Sequence, residues 1–397
     1  MPYGRDAVTG LSPEAAVVYA TAGPFDQDDR IRRLVSGSFD WHRFLWIAVR
    51  ERAVSVAWRR FQRMDLQVPH EVGAQLQRHT MVADFTAARL EARLEETLEA
   101  LHAACVEPVL LKGAALARVL FSSFRDRPMG DIDLLVKRDE AARSLAAVRA
   151  KEWEVVPEFS AVDYARHHHL PPMVDSTGAG RLELHTALFV EGHPFGAFSD
   201  AVYHRSRSVS EGYGRVPDEV HLALHLCLHL AWSHVMGLGA WRAFYDLSSL
   251  VEHDRLEWKE LVDEAKVYRA SSCCYWTLRL ASDMAGVAVP RDVIRACRPP
   301  GTTWSHRLLA HHFEAQLDGP DRGCPSVAVG RALWRMGIRP SWSGHGDRYP
   351  WQADKPFLEV VDLAEVAPAT SGSGPKAGKL AATARYLVSL AFPRDPP

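Results

Sequence analysis

Two stretches decide the fold: Val109-Leu110-Leu111-Lys112-Gly113 and, one predicted helix later, Arg127-Pro128-Met129-Gly130-Asp131-Ile132-Asp133-Leu134-Leu135-Val136. The first is typical of a buried strand that runs into a glycine turn, and the second of a strand that opens with two carboxylates. Side chains alternate between the two faces of a strand, so Asp131 and Asp133 are expected on one face and Ile132 on the other. Neighbouring carboxylates repel each other, and we therefore predict a cation beside this pair.

The composition is that of a globular chain without a broad basic surface. Of the 397 residues, 47% are hydrophobic and 24% are charged, which is enough for two or three domains and a sizeable core. The formal net charge of −2 argues against a protein that holds nucleic acid by a broad basic surface, although a local basic groove stays compatible with it.

The cysteines and the apolar runs favour a cytoplasmic location. The six cysteines form no CxxC pair and show no regular spacing, which is typical of reduced thiols. The amino terminus has no basic-then-apolar signal pattern. The most apolar stretch, Leu222 to Trp232, is interrupted by His225 and His229 and is shorter than the ~18–20 apolar residues of a membrane helix. We therefore predict a cytoplasmic protein that does not associate with a membrane.

Periodicity around the two stretches predicts an α+β fold. Helical patterns cover about 39–63 and 71–104, and a further helix is predicted to start at Pro217. Residues 181–185, Arg-Leu-Glu-Leu-His, alternate like a strand, with Glu183 and His185 on one face. The predicted fold is a small mixed β-sheet core flanked by N-terminal and C-terminal helical regions, and it is predominantly helical overall.

The same patterns divide the chain into four parts. We predict an N-terminal helical layer at 1–104, an α/β core at 105–190, a C-terminal helical domain at 191–300 and a variable tail at 301–397. The segment 367–379 is rich in Pro, Gly, Ser and Ala, and we predict that it is a flexible linker.

Asp131, Asp133 and Glu183 are the carboxylates that this order of strands would bring together. Transfer of a nucleotidyl group from an NTP uses two Mg²⁺ ions about 3.5–4 Å apart, and Mg²⁺ prefers hard oxygen ligands. A carboxylate pair at i and i+2 can bridge two ions, and a third carboxylate on a neighbouring strand completes one ion's site. Lys112 and Gly113, where a strand turns into a helix, would offer backbone N–H groups to phosphates.

Two arginines between the helix and the carboxylate strand are candidates for the triphosphate. Arg125 or Arg127 could steady it through charge-assisted hydrogen bonds. For both side chains, a surface salt bridge is the competing interpretation.

These motifs resemble the bacterial "uncharacterised nucleotidyltransferase" family of the polymerase β-type nucleotidyltransferase superfamily. The resemblance is most specific at Lys112-Gly113 and Gly130-Asp131-Ile132-Asp133, continues at 182–185 and 241–247, and spans roughly residues 35–285. In place of the superfamily's usual Gly-Ser or Gly-Gly turn, this chain has Lys112-Gly113-Ala114.

The resemblance implies a function as well as a fold. It implies that Asp131 and Asp133 bind both metal ions, which would be Mg²⁺ or alternatively Mn²⁺, and that Glu183 is the third carboxylate. It also implies an NTP substrate and transfer of NMP to an unknown acceptor, which could be a small molecule, a peptide or a protein.

Other interpretations stay open. One is a protein that binds a nucleotide or a partner on the same scaffold without turnover, and another is a toxin-like enzyme that modifies tRNA, which the net charge disfavours. His221, His225 and His229 share a helix face, which would suit zinc or a polar stripe that meets the cleft. We favour the stripe, and we interpret His167 to His169 as part of a polar loop. His185 is expected to support Glu183.

Overall fold

The computed structural model describes residues 10–156, 167–178, 180–190, 193–210, 212–338 and 376–391. In these residues, 16 helices flank one seven-stranded mixed sheet, and the fold is 62% helical. The predicted α+β class with helical flanks is therefore confirmed.

In the sequence, helices come before the first strand, between the strands and after the last strand. Before the sheet come α1 (Pro13–Ala20), α2 (Asp28–Val35), α3 (Trp41–Arg50), α4 (Val54–Arg63) and α5 (His70–Ala103). Among and after the strands come α6 (Lys112–Leu120), α7 (Ala141–Arg149), α8 (Gly196–His204), α9 (Glu219–Leu228), α10 (Ala240–Glu252), α11 (Trp258–Val267), α12 (Ser271–Ala285), α13 (Arg291–Ala296), α14 (Thr303–Asp318), α15 (Val327–Ile338) and α16 (Lys376–Ala391).

The sheet places the two deciding stretches side by side at its centre. Its strands are β1 (Val109–Leu110), β2 (Ile132–Leu135), β3 (Glu154–Val155), β4 (Met173–Val174), β5 (Arg181–His185), β6 (Ser206–Ser208) and β7 (Arg215–Pro217). Their spatial order is β3-β4-β5-β2-β1-β7-β6. β2 pairs with β1 in the antiparallel sense and with β5 in the parallel sense.

The sheet extends beyond the predicted core of residues 105–190. Its strands β6 and β7 come later in the chain, and β7 pairs directly with β1. The strand β4 follows shortly after the polar loop predicted at His167 to His169, where no strand was expected. Both additions depend on pairing with distant strands, which a local pattern does not encode. The division into four parts stays a prediction.

The N-terminal helical layer follows its pattern with one break. Asp40 caps α3 because its Oδ1 accepts hydrogen bonds from the backbone N–H groups of His42 and Arg43, both at 3.0 Å. The single helix expected at 39–63 is two helices, since Arg52 adopts a φ of +59° between α3 and α4. The 34-residue helix α5 confirms the pattern at 71–104 and buries its leucine stripe.

The helix α9 runs through the centre of the C-terminal half. Asp218 caps it, with Oδ1 accepting from the backbone N–H of His221 at 2.9 Å. Every residue of α9 from Val220 to Leu228 is buried, as its nearly continuous apolar sequence predicts. A π-helical turn, His229–Ser233, continues it, and such turns are frequent at functional sites.

The C-terminal part contains helices where a variable tail was predicted. α14, α15 and α16 all lie in the part predicted as a variable tail, and the Tyr386 hydroxyl on α16 lies 2.7 Å from Nδ1 of His312 on α14. The predicted linker 367–379 lies outside the described residues up to 375. In the described ranges, no helix is both long enough and apolar enough to cross a membrane. All six cysteines are free.

Candidate functional site

The centre of the site is the parallel pairing of β2 with β5. Its register sets Asp133 opposite Glu183, while Ile132 and Leu134 lie opposite Leu182 and Leu184. These four aliphatic side chains are buried in the core on the other face of the sheet. Asp133, Glu183 and His185 therefore share one face, and a ligand atom from each lies within 4.8 Å of the other two.

Asp133 is buried and paired with two nitrogen groups. Its Oδ1 accepts from Nζ of Lys112 at 3.1 Å and from Nε2 of His185 at 2.9 Å. Although burial alone would raise its pKa, the charge of Lys112 and the hydrogen bond from His185 hold the pKa of Asp133 well below its ordinary value. Asp133 therefore stays ionised.

Lys112 is the residue that turns the chain from β1 into α6. Leu111 is extended, and Lys112 follows with a φ of +46° as the first helical residue. Left-handed backbone at a non-glycine residue is strained and clusters at functional sites. Burial would lower the pKa of Lys112, but the carboxylates of Asp133, Asp131 and Glu183 together raise it.

Gly113 has a different role from the one its sequence position suggests. It was expected to make the turn, but the left-handed residue is Lys112. A Cβ on Gly113 would overlap Nη1 of Arg127 and lie 3.0 Å from its Cζ. Glycine is required here because a guanidinium packs on the backbone at the start of α6.

Arg127 is buried and committed to a carboxylate on α10. Its Nε donates to Oδ1 of Asp246 at 3.0 Å and its Nη2 to Oδ2 at 2.7 Å, and the Asp246 side chain is fully buried. This bidentate pair joins the loop before β2 to the C-terminal helices. The surface salt bridge considered for Arg127 is therefore wrong, because the ion pair is internal.

Asp131 and Glu183 differ in their surroundings from Asp133. Asp131 is half-buried, one residue before β2, and is not part of the close group formed by Asp133, Glu183 and His185. Its charge nevertheless acts on Lys112 and on the guanidinium groups of Arg127 and Arg242. Glu183 is half-buried and accepts from Nε of Arg181 at 3.1 Å.

The described contacts of Arg125 do not include the three candidate carboxylates. The residue is exposed, its backbone N–H donates to Oγ of Ser123 at 3.2 Å, and its carbonyl accepts from Nη1 of Arg59 at 2.9 Å. None of the described hydrogen bonds joins its guanidinium to Asp131, Asp133 or Glu183.

Two other arginines lie beside Asp131 and were not singled out from the sequence. The Arg52 guanidinium packs so closely on Gly130 that a Cβ there would lie 2.7 Å from its Cζ. Arg242 is half-buried on α10, and burial together with the charge of Arg52 lowers its pKa to about 10, against the opposing pull of Asp131. Arg242 could have been selected from the sequence, because it lies in the segment 241–247 that resembles the family. Arg52 lies in no motif that the sequence analysis identified.

The helix histidines separate into two environments. His221 bonds Oδ1 of Asp218 through Nδ1 at 2.7 Å. His225 faces the site: burial, then the charge of Lys112, lowers its pKa to about 3. Within the described residues, His221, His225 and His229 do not form a group with metal-sized separations. The polar-stripe interpretation is therefore favoured over zinc at this helix.

Comparison with known proteins places this geometry in a family. Neither the curated proteins nor the solved structures include a significant match. A family model described as "Uncharacterised nucleotidyltransferase" matches residues 37–286, which is more than half of the chain and close to the expected span of 35–285. The matched region contains Lys112, Asp131, Asp133 and Glu183. The chain therefore belongs to the uncharacterised nucleotidyltransferase family.

Proposed function

We propose that this protein transfers an NMP group from an NTP to an acceptor, with Asp131, Asp133 and Glu183 as the ligands of Mg²⁺. The observation that carries the proposal is the β2–β5 register, which sets Asp133 opposite Glu183, with Nζ of Lys112 3.1 Å from Oδ1 of Asp133. The charges of all three carboxylates also raise the pKa of Lys112 in spite of its burial. The three acidic groups thus generate a field in which a cation is stabilised.

The donor set fits a hard divalent cation. Mg²⁺ binds carboxylate oxygens, and Asp133 and Glu183 are direct neighbours across the β2–β5 pairing. Both described partners of Asp133 contact Oδ1, and no described hydrogen bond reaches Oδ2. When bound, Mg²⁺ ions would polarise the acceptor oxygen and neutralise charge on the leaving pyrophosphate.

The protein's own groups orient the carboxylates and face the phosphates. His185 holds Asp133 in position from the end of β5 through its 2.9 Å hydrogen bond. The start of α6 has no described side-chain cap, so its first N–H groups would present the positive end of the helix dipole to a phosphate. Lys112 lies at the same turn, and its ammonium group would move its hydrogen bond from Asp133 to a phosphate oxygen when the NTP binds.

Arg242 and Arg52 are the better candidates for the triphosphate. Both lie beside Asp131, and neither has a described ion pair, whereas Arg127 is occupied by Asp246. Roles for Arg125 and Arg127 in phosphate binding stay predictions. In this assignment Arg127 supports Gly113 and the loop that carries Asp131.

Label transfer from α-³²P-labelled NTPs tests the proposal. Purified protein is incubated with each NTP, Mg²⁺ or Mn²⁺, and cell extract, with and without ribonuclease so that an RNA acceptor is recognised. We expect Asp131→Asn, Asp133→Asn and Glu183→Gln each to lower transfer by about 100-fold or more, because each removes a metal ligand. Asp139→Asn, at an exposed position, is the matched control and should retain transfer.

The possible results separate the two main interpretations. Transfer that survives Asp131→Asn combined with Asp133→Asn would refute the metal assignment. Tight NTP binding without transfer in any extract would favour a binding protein on the same scaffold.

A further inference from the structure

A cluster of imidazoles adjoins the acidic site and is not used by the proposed nucleotidyl transfer. His167, His168 and His169 each place a ring nitrogen within 4.8 Å of the other two. Their ring centroids are 4.1–4.9 Å apart. All three residues are half-buried.

Backbone pairing with the end of β5 holds this cluster in place. His169 forms a bridge with His185, and the N–H of Leu170 donates to the carbonyl of Leu184 at 2.8 Å. The N–H of Thr186 donates to the carbonyl of His168 at 2.8 Å. The backbone at 168–170 is therefore held against the sheet within the polar loop that the sequence indicated.

One hydrogen bond fixes a tautomer within the cluster, and one buried ring nitrogen, Nδ1 of His168, has no partner among the described residues. Nδ1 of His169 donates to the carbonyl of Leu170 at 2.7 Å, an arrangement that fixes the tautomer with its lone pair on Nε2 and is common among metal-binding histidines. Nδ1 of His168 is buried and has no hydrogen-bond partner among the described residues. A buried lone pair without a partner is costly unless something binds it.

His185 links the cluster to the carboxylates. Its ring lies 5.7 Å from that of His168 and 5.5 Å from that of His169, measured between centroids. Nε2 of His185 is hydrogen-bonded to Asp133, and its Nδ1 is buried with no partner in the described part of the chain. A carboxylate that orients an imidazole whose other nitrogen faces a cation is a recurrent arrangement in metal sites.

We propose that His167, His168 and His169 bind a divalent transition metal ion, with His185 as the adjoining fourth imidazole. Imidazole ligands select Zn²⁺ and its late first-row neighbours, whereas Mg²⁺ selects the oxygens of the acidic site. The ion would therefore be chemically distinct from the Mg²⁺ of the proposed reaction. Three protein ligands are the usual number in catalytic zinc sites, in which the fourth position holds water or substrate.

Zinc stoichiometry tests this site without any measurement of activity. The full chain is purified with a tag that contains no histidine, and bound metal is removed with a chelator. The protein is then titrated with Zn²⁺ in the presence of excess Mg²⁺ and without NTP. Metal content is then measured by mass spectrometry after gel filtration. We expect about one equivalent of zinc in the wild type and in His204→Asn, an exposed control.

Variants locate the ion within the site. The triple variant His167→Asn/His168→Asn/His169→Asn should lose zinc, and single His168→Asn should weaken binding at least about 10-fold, in the range known for lost metal-site interactions. The single variant covers the case in which the triple variant fails to fold. Less than half an equivalent in the wild type would overturn the proposal, and so would retention of zinc by a folded triple variant.

The acidic variants keep the two proposals separate. Asp131→Asn should abolish label transfer and leave zinc content unchanged, so that failure of one proposal does not imply failure of the other. Zinc that disappears in Asp133→Asn but persists in His168→Asn would move the ion to Asp133, Glu183 and His185, and would overturn the imidazole site.

Discussion

The buried pair Arg127–Asp246 offers the sharpest test of how the two halves of the chain are joined. Asp246→Ala removes two charge-assisted hydrogen bonds, of 3.0 and 2.7 Å, from a guanidinium that is itself buried. Breaking such a pair from one side costs about 3–5 kcal/mol, because the remaining charge is left without its partner. Among the described hydrogen bonds, Arg127 would retain a long 3.4 Å contact with the carbonyl of Pro128.

The measurement is the free energy of unfolding from urea denaturation, followed by tryptophan fluorescence. Asp246→Asn keeps the shape and one acceptor and should cost less than Asp246→Ala. Asp263→Ala is the surface control, because Asp263 pairs with Lys259 at 2.7 Å with both side chains largely exposed. Water and salt screen the charges of exposed pairs, so this control should scarcely change the free energy of unfolding.

A double variant decides whether the charge is the cause. Arg127→Met combined with Asp246→Ala removes both partners, and it should be more stable than Asp246→Ala alone, since no buried charge remains. The reasoning is refuted if Asp246→Ala costs less than about 1 kcal/mol, or if the two substitutions destabilise the protein additively.

Three further predictions follow from the same contacts. Gly113→Ala should destabilise the protein by about 1–3 kcal/mol, because the new Cβ would overlap Arg127. The control Gly196→Ala, with open space around the position, should change stability by less than about 1 kcal/mol, and thermal unfolding compares the two variants. Arg242→Met should raise KM for the NTP more than it lowers kcat if this guanidinium holds the triphosphate, and an unchanged KM would contradict that role. Burial lowers the pKa of His225 to about 3 and that of His312 to about 4, so the unfolded chain binds more protons than the folded chain below about pH 6.5. The free energy of unfolding should therefore fall from pH 6.5 toward pH 3, and it should fall less steeply with pH in His312→Gln. Urea titrations at several pH values measure both dependences, and equal slopes would refute this prediction.

The local features of the site were predictable from the sequence. Alternation in 181–185 placed Glu183 and His185 on one face and two leucines in the core, and the structure confirms it. The sequence likewise predicted the strand that ends at Lys112 and the strand that carries Asp133, and the structure contains both. These inferences depend on the strand period and on chain direction, which neighbouring residues determine.

The long-range features of the site depended on tertiary structure. The sequence alone determined that a carboxylate pair lies at the start of a buried strand and that Lys112 lies where a strand turns into a helix. Only the parallel pairing of β2 with β5 set Asp133 opposite Glu183, and only the packing of α10 gave Arg127 its partner. The backbone pairing of 167–170 with β5 likewise turned an apparent polar loop into an imidazole cluster. Such contacts join residues far apart in the chain, and their geometry is fixed by packing and burial, to which no local pattern corresponds.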